Sequence, residues 1–223
     1  IPIFCDKIFV PGYTTYNFLK NFGDSHKIEL TGLPRLDHYG EYIKPNFERK
    51  KINEKEIIIG VMSANTAGYT SKQINNSINL FNDIYNFDKK NQNVKIKWRL
   101  RKNFHQELNL EIKNYQDEDL IEYFKSVDAI ISQPSTVAYE AMVFGLPIVI
   151  ANYGSSPTYM HSVWEIHTRE NIKDVINEII SPTPIKLLLQ KQYLNDNLAF
   201  IGYSAKICSE IIKEIVNQTY EID

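Results

Sequence analysis

The sequence DAIISQPSTVAYEAMVFGLPIVIA, residues 128–151, decides the fold. It begins with a short apolar run that polar residues end, which is typical of a buried strand. A helix is predicted from Pro134 to Phe144, because proline suits a first helical turn and a neighbouring Ser or Thr can cap an unpaired N–H group. Gly145 can adopt the left-handed backbone conformation that commonly ends a helix, and a second apolar run follows at 148–150. This βαβ unit predicts an α/β fold with a Rossmann-like parallel sheet and helices on both faces.

One face of the predicted helix carries polar groups. Thr136 and Glu140 are four residues apart, so they lie on the same face. A helix N-terminus that follows a strand binds anions through its unpaired N–H groups and its dipole. One interpretation is therefore that Ser135 and Thr136 bind a phosphate and that Glu140 accepts hydrogen bonds from a sugar diol. The alternative is that Ser135 only caps the helix and Glu140 is a solvated surface residue.

Residues 128–141, followed by Gly-Leu-Pro at 145–147, resemble the nucleotide-binding segment of GT-B-fold glycosyltransferases. The similar groups are bacterial surface-polysaccharide transferases, CDP-glycerol glycerophosphotransferases and UDP-GlcNAc 2-epimerases. The resemblance implies that Ser135 and Thr136 contact donor phosphates and that Glu140 contacts the nucleotide ribose. The epimerases carry a Ser-Gly-Gly turn where this chain has Pro-Ser-Thr, and this departure favours a transferase.

A second segment, GLPRLD at 32–37, is similar to the end of the N-terminal domain in the glycerophosphotransferases and epimerases. The resemblance implies four regions, which are listed here: a remnant of an N-terminal GT-B domain at 1–36, a linker at 37–54, a Rossmann-like donor-binding domain at 55–183, and C-terminal helices at 184–223. The alternative is that Gly32 and Pro34 simply make a turn. The first residue is not Met and no signal pattern follows it, so we expect a truncated or processed chain.

Polar residues follow three further predicted strands, where ligands bind in open α/β sheets. Ser63, Asn65 and Thr66 follow the strand at 56–62, and Ser155 lies in the loop after the strand at 148–150. Each is a candidate for donor binding, and the alternative for each is an ordinary polar turn. Arg101 and Lys102 end a predicted strand at 94–102. The resembling families place a basic residue or a His-Pro near donor phosphate there, and this chain lacks the His-Pro. The alternative is a strand whose basic side faces solvent.

Composition excludes several classes of function. The net charge of −2 gives no electrostatic reason to expect nucleic acid binding, and no apolar run reaches the 18 residues of a membrane span. Cys5 and Cys208 lack the spacing of a metal or redox site. We expect no metal site: the acidic run at 117–119 suits the first turn of a helix, and GT-B enzymes are not expected to need a metal held by Asp-x-Asp.

The remaining predicted elements are a strand at 7–10, a helix at 13–22, a strand at 27–30, a helix at 71–87, a strand at 112–115, and helices at 118–126, 171–180, 185–198 and 204–216. The sequence shows no GxGxxG and no P-loop, which leaves dehydrogenase and NTPase functions without support.

The resemblance implies transfer of a sugar or polyol phosphate from a nucleotide-activated donor to a bacterial surface glycan. It implies a cytoplasmic enzyme at the inner face of the membrane, with peripheral membrane association, and a homo-oligomer or a further N-terminal domain as partner. We name no catalytic base, because the family supplies it from the N-terminal domain, and we expect little or no turnover by this chain alone. The alternatives are an isomerase like the UDP-GlcNAc 2-epimerases and a non-catalytic binding or assembly domain.

Overall fold

The computed structural model describes residues 4–43, 57–65, 67–91, 93–108, 110–154 and 160–220. Its contacts divide the chain into two units, residues 1–43 with 191–223, and residues 44–190. The strands are β1 (Ile8–Val10), β2 (Ile28–Leu30), β3 (Ile57–Met62), β4 (Val94–Arg99), β5 (Ala129–Ser132), β6 (Ile148–Ala151) and β7 (Trp164–Ile166). The α-helices are α1 (Tyr13–Lys20), α2 (Ser71–Lys90), α3 (Lys102–Leu108), α4 (Leu120–Lys125), α5 (Thr136–Val143), α6 (Ile172–Ile180), α7 (Pro184–Asn197) and α8 (Ser204–Tyr220).

The larger unit contains a five-stranded parallel sheet in the order β4-β3-β5-β6-β7. The chain moves outward from β3 to β4, then returns past β3 to β5 and continues in the other direction. A doubly wound sheet has its switch point where the strand order reverses, which here lies between β3 and β5. Ligands in such folds bind beyond the carboxyl ends of the strands at that point, so the loops after β3 and β5 are the first place to look.

Helices cover both faces of this sheet, as the sequence predicted. On one face, alternate strand residues such as Ile59, Val61 and Ile131 form a core with apolar residues of α2 and α6. On the other face, a side chain added at Gly60 would meet Ile130 and the hydroxyl of Tyr123, which belongs to α4. Helix α5 packs against β5 and β6. The architecture is a Rossmann-like α/β fold, and the predicted fold class is confirmed.

The basic face of β4 faces solvent only in part: Lys95 is exposed, as its alternation suggested, but Lys97 and Arg99 are half-buried. The apolar residues of β4 are buried as expected, but the Lys97 ammonium lies 4.5 Å from the ring centre of Tyr115 and 5.0 Å from that of Tyr123. Lys97 also forms an ion pair with Glu118 at 2.6 Å and donates to Ser126 Oγ at 2.7 Å. Cation–aromatic contacts of this kind attract the charge to the ring faces, so α4 and the segment before it cover this face.

Three other sequence expectations need correction. The strand predicted at 112–115 is a single bridge between Asn114 and Trp98, since the Asn114 side chain pairs with both backbone groups of Leu100. The strand predicted to run to Lys102 ends at Arg99, and helix α3 follows. The short strand β7 was not predicted, because its three residues become a strand only by pairing with β6.

The smaller unit contains the parallel pair β1 and β2, with α1 packed on β2. A 3-10 helix, Pro34–Tyr42, follows β2 and buries Leu36 and Tyr39. The prediction of a linker from residue 37 is therefore wrong for residues 37–42, where the buried Tyr39 anchors the chain. Residues 44–56 lie outside the described ranges. In the part of the chain that the structure describes, no helix has the length and apolar character that crossing a bilayer requires.

Asp37 in this 3-10 helix ties the two ends of the smaller unit together. Its Oδ1 accepts hydrogen bonds from the backbone N–H groups of Gly202 at 3.1 Å and Ser204 at 3.0 Å, and its Oδ2 accepts one from Ala205 at 2.7 Å. Burial raises the pKa of Asp37, but the three N–H groups outweigh burial and hold the pKa below its ordinary value. Asp37, the last residue of the GLPRLD segment, therefore caps the N-terminus of α8.

We predict that Asp37→Ala lowers the free energy of unfolding by about 1–2 kcal/mol at neutral pH, the usual cost of losing a helix cap. The stabilisation is present above the ordinary aspartate pKa of about 3.9 and is lost as the pH falls through the lowered pKa. Urea unfolding from neutral to acidic pH should show the difference between wild type and variant shrinking. Glu41→Ala, an exposed carboxylate on the same 3-10 helix, is the control. An equal loss in both variants, or a difference independent of pH, would contradict the capping role.

Candidate functional site

The carboxyl edge of the sheet buries polar side chains. Ser63 follows β3, Ser132 ends β5, Gln133 comes next, and Asn152 follows β6; all four are less than 10% exposed. Buried polar groups cost free energy unless they are hydrogen-bonded, so four buried polar side chains at one edge of the sheet are expected to be held by specific partners. The edge is also the one that the strand order marks as the ligand-binding side.

The N-terminus of α5 lies at this edge, and its cap residue is unusual. Ser135 has extended backbone angles, φ −163° and ψ 158°, and its side chain makes no capping hydrogen bond. Among the described residues, the buried Oγ of Ser135 has no hydrogen-bond partner. Ser135 is the N-cap residue by position, but the alternative that its hydroxyl caps an N–H group of the first turn is wrong, because the side chain makes no such hydrogen bond. The first helical residue, Thr136, is exposed. The hydroxyl of Ser135 and the N–H groups of the first turn are suited to bind an anion.

Glu140 lies one turn further along α5 and is only 4% exposed. The alternative interpretation of Glu140 as a solvated surface residue is therefore wrong. A carboxylate is rarely buried this far unless it is paired or hydrogen-bonded, and one in the first half of a helix also interacts favourably with the helix dipole. A carboxylate can accept hydrogen bonds from two adjacent hydroxyl groups, such as those of a ribose.

The structure brings Ser63 and Arg101 together. The backbone N–H of Arg101 donates to Ser63 Oγ at 2.8 Å, which links the segment after β3 to the end of β4. The side chains of Arg101 and Lys102 are exposed, and neither forms a salt bridge with any residue that the structure describes. Exposed cationic side chains attract phosphate, and arginine can bind it with two parallel hydrogen bonds.

Asn65 has a local role. Its Oδ1 accepts a hydrogen bond from the N–H of Ala67 at 3.1 Å, an Asx turn that shapes the loop after β3. This contact fits the turn interpretation of Asn65. The other two predicted site residues, Thr66 and Ser155, lie outside the described residues.

Contacts from α2 hold the loop after β6, and the sequence analysis missed them. The Tyr153 hydroxyl donates to Asp83 at 3.3 Å, and Asn76 Nδ2 donates to the carbonyl of Gly154 at 3.5 Å. Burial and the nearby Asp83 carboxylate raise the pKa of Tyr153, so it keeps its proton. These partners lie about 70 residues apart in sequence, which is why no local pattern indicated them.

Two histidines share one carboxylate beside β7. Glu165 contacts His161 Nδ1 at 2.9 Å and His167 Nε2 at 2.6 Å, and Ser162 N–H also donates to it. Burial raises the pKa of Glu165, but these hydrogen bonds outweigh it and lower the pKa below its ordinary value. Within the described ranges, no group of three His, Cys, Asp or Glu side chains has the geometry to hold a metal ion.

Comparisons with solved structures identify the architecture. The chain superposes on a complex of S. aureus MnaA with UDP at a TM-score of 0.65 and 15% identity, over 96% of this chain and 60% of that one. A UDP-N-acetylglucosamine 2-epimerase aligns at 0.56 and 14% identity, over 96% and 58%. A variant of the wall teichoic acid polymerase TagF, soaked with CDPG, aligns at 0.51 and 15% identity, over 97% and 58%. The fold is similar to that of GT-B-type enzymes.

The predicted resemblance to this group is confirmed at the level of the fold. No family model matches the sequence, and no curated protein matches it. The chain spans about three-fifths of the length of these GT-B-type structures.

Proposed function

We propose that this chain is the nucleotide-binding part of a GT-B-type transferase that moves a sugar or polyol phosphate from a nucleotide-activated donor to a bacterial surface glycan. The observation that carries the proposal is the buried hydroxyl of Ser135 at the N-terminus of α5, which has no hydrogen-bond partner among the described residues and lies one turn before the buried carboxylate of Glu140. Ser135 and Thr136 would bind phosphate, and Glu140 would accept hydrogen bonds from the ribose hydroxyls.

Charge at the same edge supports the assignment. Arg101 and Lys102 would neutralise donor phosphate, and Ser63 lies next to them through its bond to the Arg101 N–H. In transfer from a nucleotide, negative charge develops on the leaving nucleotide, and oriented N–H groups at a helix terminus stabilise such charge. The proposed role of α5 is therefore to stabilise this charge as well as to bind the nucleotide.

We propose that the full enzyme works in the cytoplasm at the inner face of the membrane.

The neighbours suggest two classes of donor. The MnaA structure contains UDP, and the TagF structure was soaked with CDPG. Calorimetric titration of the purified chain with UDP, CDP and CMP would test the proposal and choose among these nucleotides. Binding of one nucleotide, weakened by Ser135→Ala, is the expected result. If no nucleotide binds the folded chain, or if Ser135→Ala leaves the affinity unchanged, the assignment of the site is wrong.

The second candidate is an isomerase like the UDP-GlcNAc 2-epimerases. The observation in its favour is that the epimerase structure aligns at a TM-score of 0.56, slightly above the 0.51 of the polymerase. Both candidates share the nucleotide site and differ in product. Incubation of the full-length enzyme with UDP-GlcNAc alone would give an epimerised product only for the isomerase, whereas a transferase needs an acceptor. A non-catalytic domain would bind no nucleotide.

A further inference from the structure

A buried glutamine bridges the switch point of the sheet. Gln133 is 0% exposed and lies between the end of β5 and Ser135. Its Oε1 accepts a hydrogen bond from the N–H of Ala64 at 3.1 Å, in the segment that follows β3. Its Nε2 donates to Ser77 Oγ at 2.8 Å, and Ser77, also 0% exposed, lies on α2. One side chain therefore links the three elements that surround the candidate phosphate site.

The backbone of Gln133 is held as firmly as its side chain. Its N–H donates to the carbonyl of Met62 at 3.3 Å, and its own carbonyl accepts from Ser132 Oγ at 2.7 Å. Ser77 Oγ in turn donates to the carbonyl of Gln73 at 3.1 Å. A buried amide has no water to replace a lost partner, so moving either end would leave polar groups unsatisfied. The spacing between the segment after β3 and the start of α5 is thereby fixed.

We propose that Gln133, with Ser77 as its partner, is a positioning residue for the nucleotide site. It holds residues 63–65 at a set distance from the N-terminus of α5, so that both contact the same phosphate-bearing ligand. Gln133 itself is buried and touches no ligand. The inference rests on the proposed function, because it assigns a role toward the nucleotide that Ser135 and Glu140 are proposed to bind. Binding sites lose affinity when such supporting contacts are removed and the groups that touch the ligand shift.

The chain offers a matched control at the opposite edge of the sheet. Gln190 is also 0% exposed; its Oε1 accepts from the N–H of Ile148 at 2.8 Å and its Nε2 donates to the carbonyl of Leu146 at 3.0 Å. Ile148 is the first residue of β6, so these bonds lie at the amino end of the strands. Methionine is close to glutamine in shape and makes neither bond. Gln133→Met and Gln190→Met therefore each remove one accepted and one donated hydrogen bond of a fully buried side chain, at opposite ends of the strands.

The experiment measures a nucleotide dissociation constant by calorimetry, using whichever of UDP and CDP binds the wild-type chain. The proteins compared are the wild type, Gln133→Met, Ser77→Ala, Gln190→Met and Glu140→Ala. Urea unfolding establishes that each variant is folded. We expect Gln133→Met to raise the constant about tenfold and Ser77→Ala to raise it by a smaller factor, because misplaced groups lose binding energy. Gln190→Met should stay within about twofold of the wild type, although it removes equally buried hydrogen bonds.

Equal effects of Gln133→Met and Gln190→Met would overturn the inference, because both glutamines would then act only on stability. The inference would also be overturned if Gln133→Met left the dissociation constant unchanged while Glu140→Ala weakened binding. The proposed function would stand in that case. If the wild-type chain binds neither nucleotide, the proposed function fails and this inference fails with it. Where Gln133→Met does not fold, Ser77→Ala decides, since it removes one hydroxyl and leaves Gln133 in place.

Discussion

Replacing Glu140 by alanine is expected to weaken nucleotide binding roughly 10- to 100-fold, because hydrogen bonds to a charged group contribute about 1.5–3 kcal/mol. The carboxylate is 4% exposed on the helix whose N-terminus is proposed to bind the phosphates. A buried carboxylate with two acceptor oxygens is suited to a ribose diol, so its loss should remove contacts to the sugar and leave the phosphate contacts intact. Calorimetric titration with UDP and CDP measures the effect.

A ligand without the diol provides the control. The 2′,3′-dideoxy form of the same nucleotide should bind wild type and Glu140→Ala with nearly equal affinity, since the interaction that the substitution removes is already absent. Glu140→Gln, which keeps shape and loses charge, should fall between wild type and alanine. If Glu140→Ala weakens the dideoxy nucleotide as much as the normal one, then Glu140 does not contact the ribose.

Replacing Gly12 by alanine is expected to destabilise the smaller unit by about 2–3 kcal/mol, the upper part of the usual range for overpacking. A Cβ at this position would lie 2.2 Å from the carbonyl carbon of Asn197 and 2.3 Å from its oxygen. Both are backbone atoms, so no rotamer change relieves the overlap. The N–H of Ala199 also donates to the carbonyl of Pro11 at 2.8 Å, which holds the two segments together. Urea unfolding followed by circular dichroism measures the loss.

Hydrogen exchange would locate this effect. Amides of β1 and β2 should lose protection in Gly12→Ala, whereas amides of β3 and β5 should keep it, because the two sets belong to different units. Thr14→Ala is the control: it removes the bond from Thr14 Oγ1 to the carbonyl of Asp196, at 3.1 Å, and adds no atom. We expect it to cost about 0.5–1 kcal/mol, the usual net contribution of one hydrogen bond. If Gly12→Ala were as stable as Thr14→Ala, the close approach of Gly12 to the backbone of Asn197 would be contradicted.

Local sequence patterns predicted the elements that local chemistry determines. The segment 128–151 gave β5, α5 and β6 because apolar runs and turn residues mark both ends of each element. Gly145 adopts φ +85°, as its place after the helix required. The strand β7 was missed because three residues carry no periodic signal. Helix α3 was missed because the strand was predicted to include its first residue, Lys102, and a sequence pattern does not show where the hydrogen bonds between two strands end.

The candidate site was only partly predictable for the same reason. Ser135, Thr136 and Glu140 could be proposed together because they are close in sequence, at the start of one helix. The burial of the Ser135 hydroxyl without a partner in the described part of the chain could not be predicted, because rotamer and burial depend on the packing around the turn. Gln133 is one of the polar residues that end the first apolar run of 128–151, and its partner Ser77 lies 56 positions away. A buried glutamine has no sequence signature; only the assembled sheet shows that it joins the ends of β3 and β5.

The most direct test of the central claim is an NMR titration of the ¹⁵N-labelled chain with the nucleotide that binds. The account predicts that the largest amide shifts occur at 135–137, at 63–65 and at Arg101, where the N-terminus of α5 and the segment after β3 would contact the phosphates. Shifts confined to other residues, or none at these positions at saturation, would contradict the assignment of the carboxyl edge of the sheet as a nucleotide site.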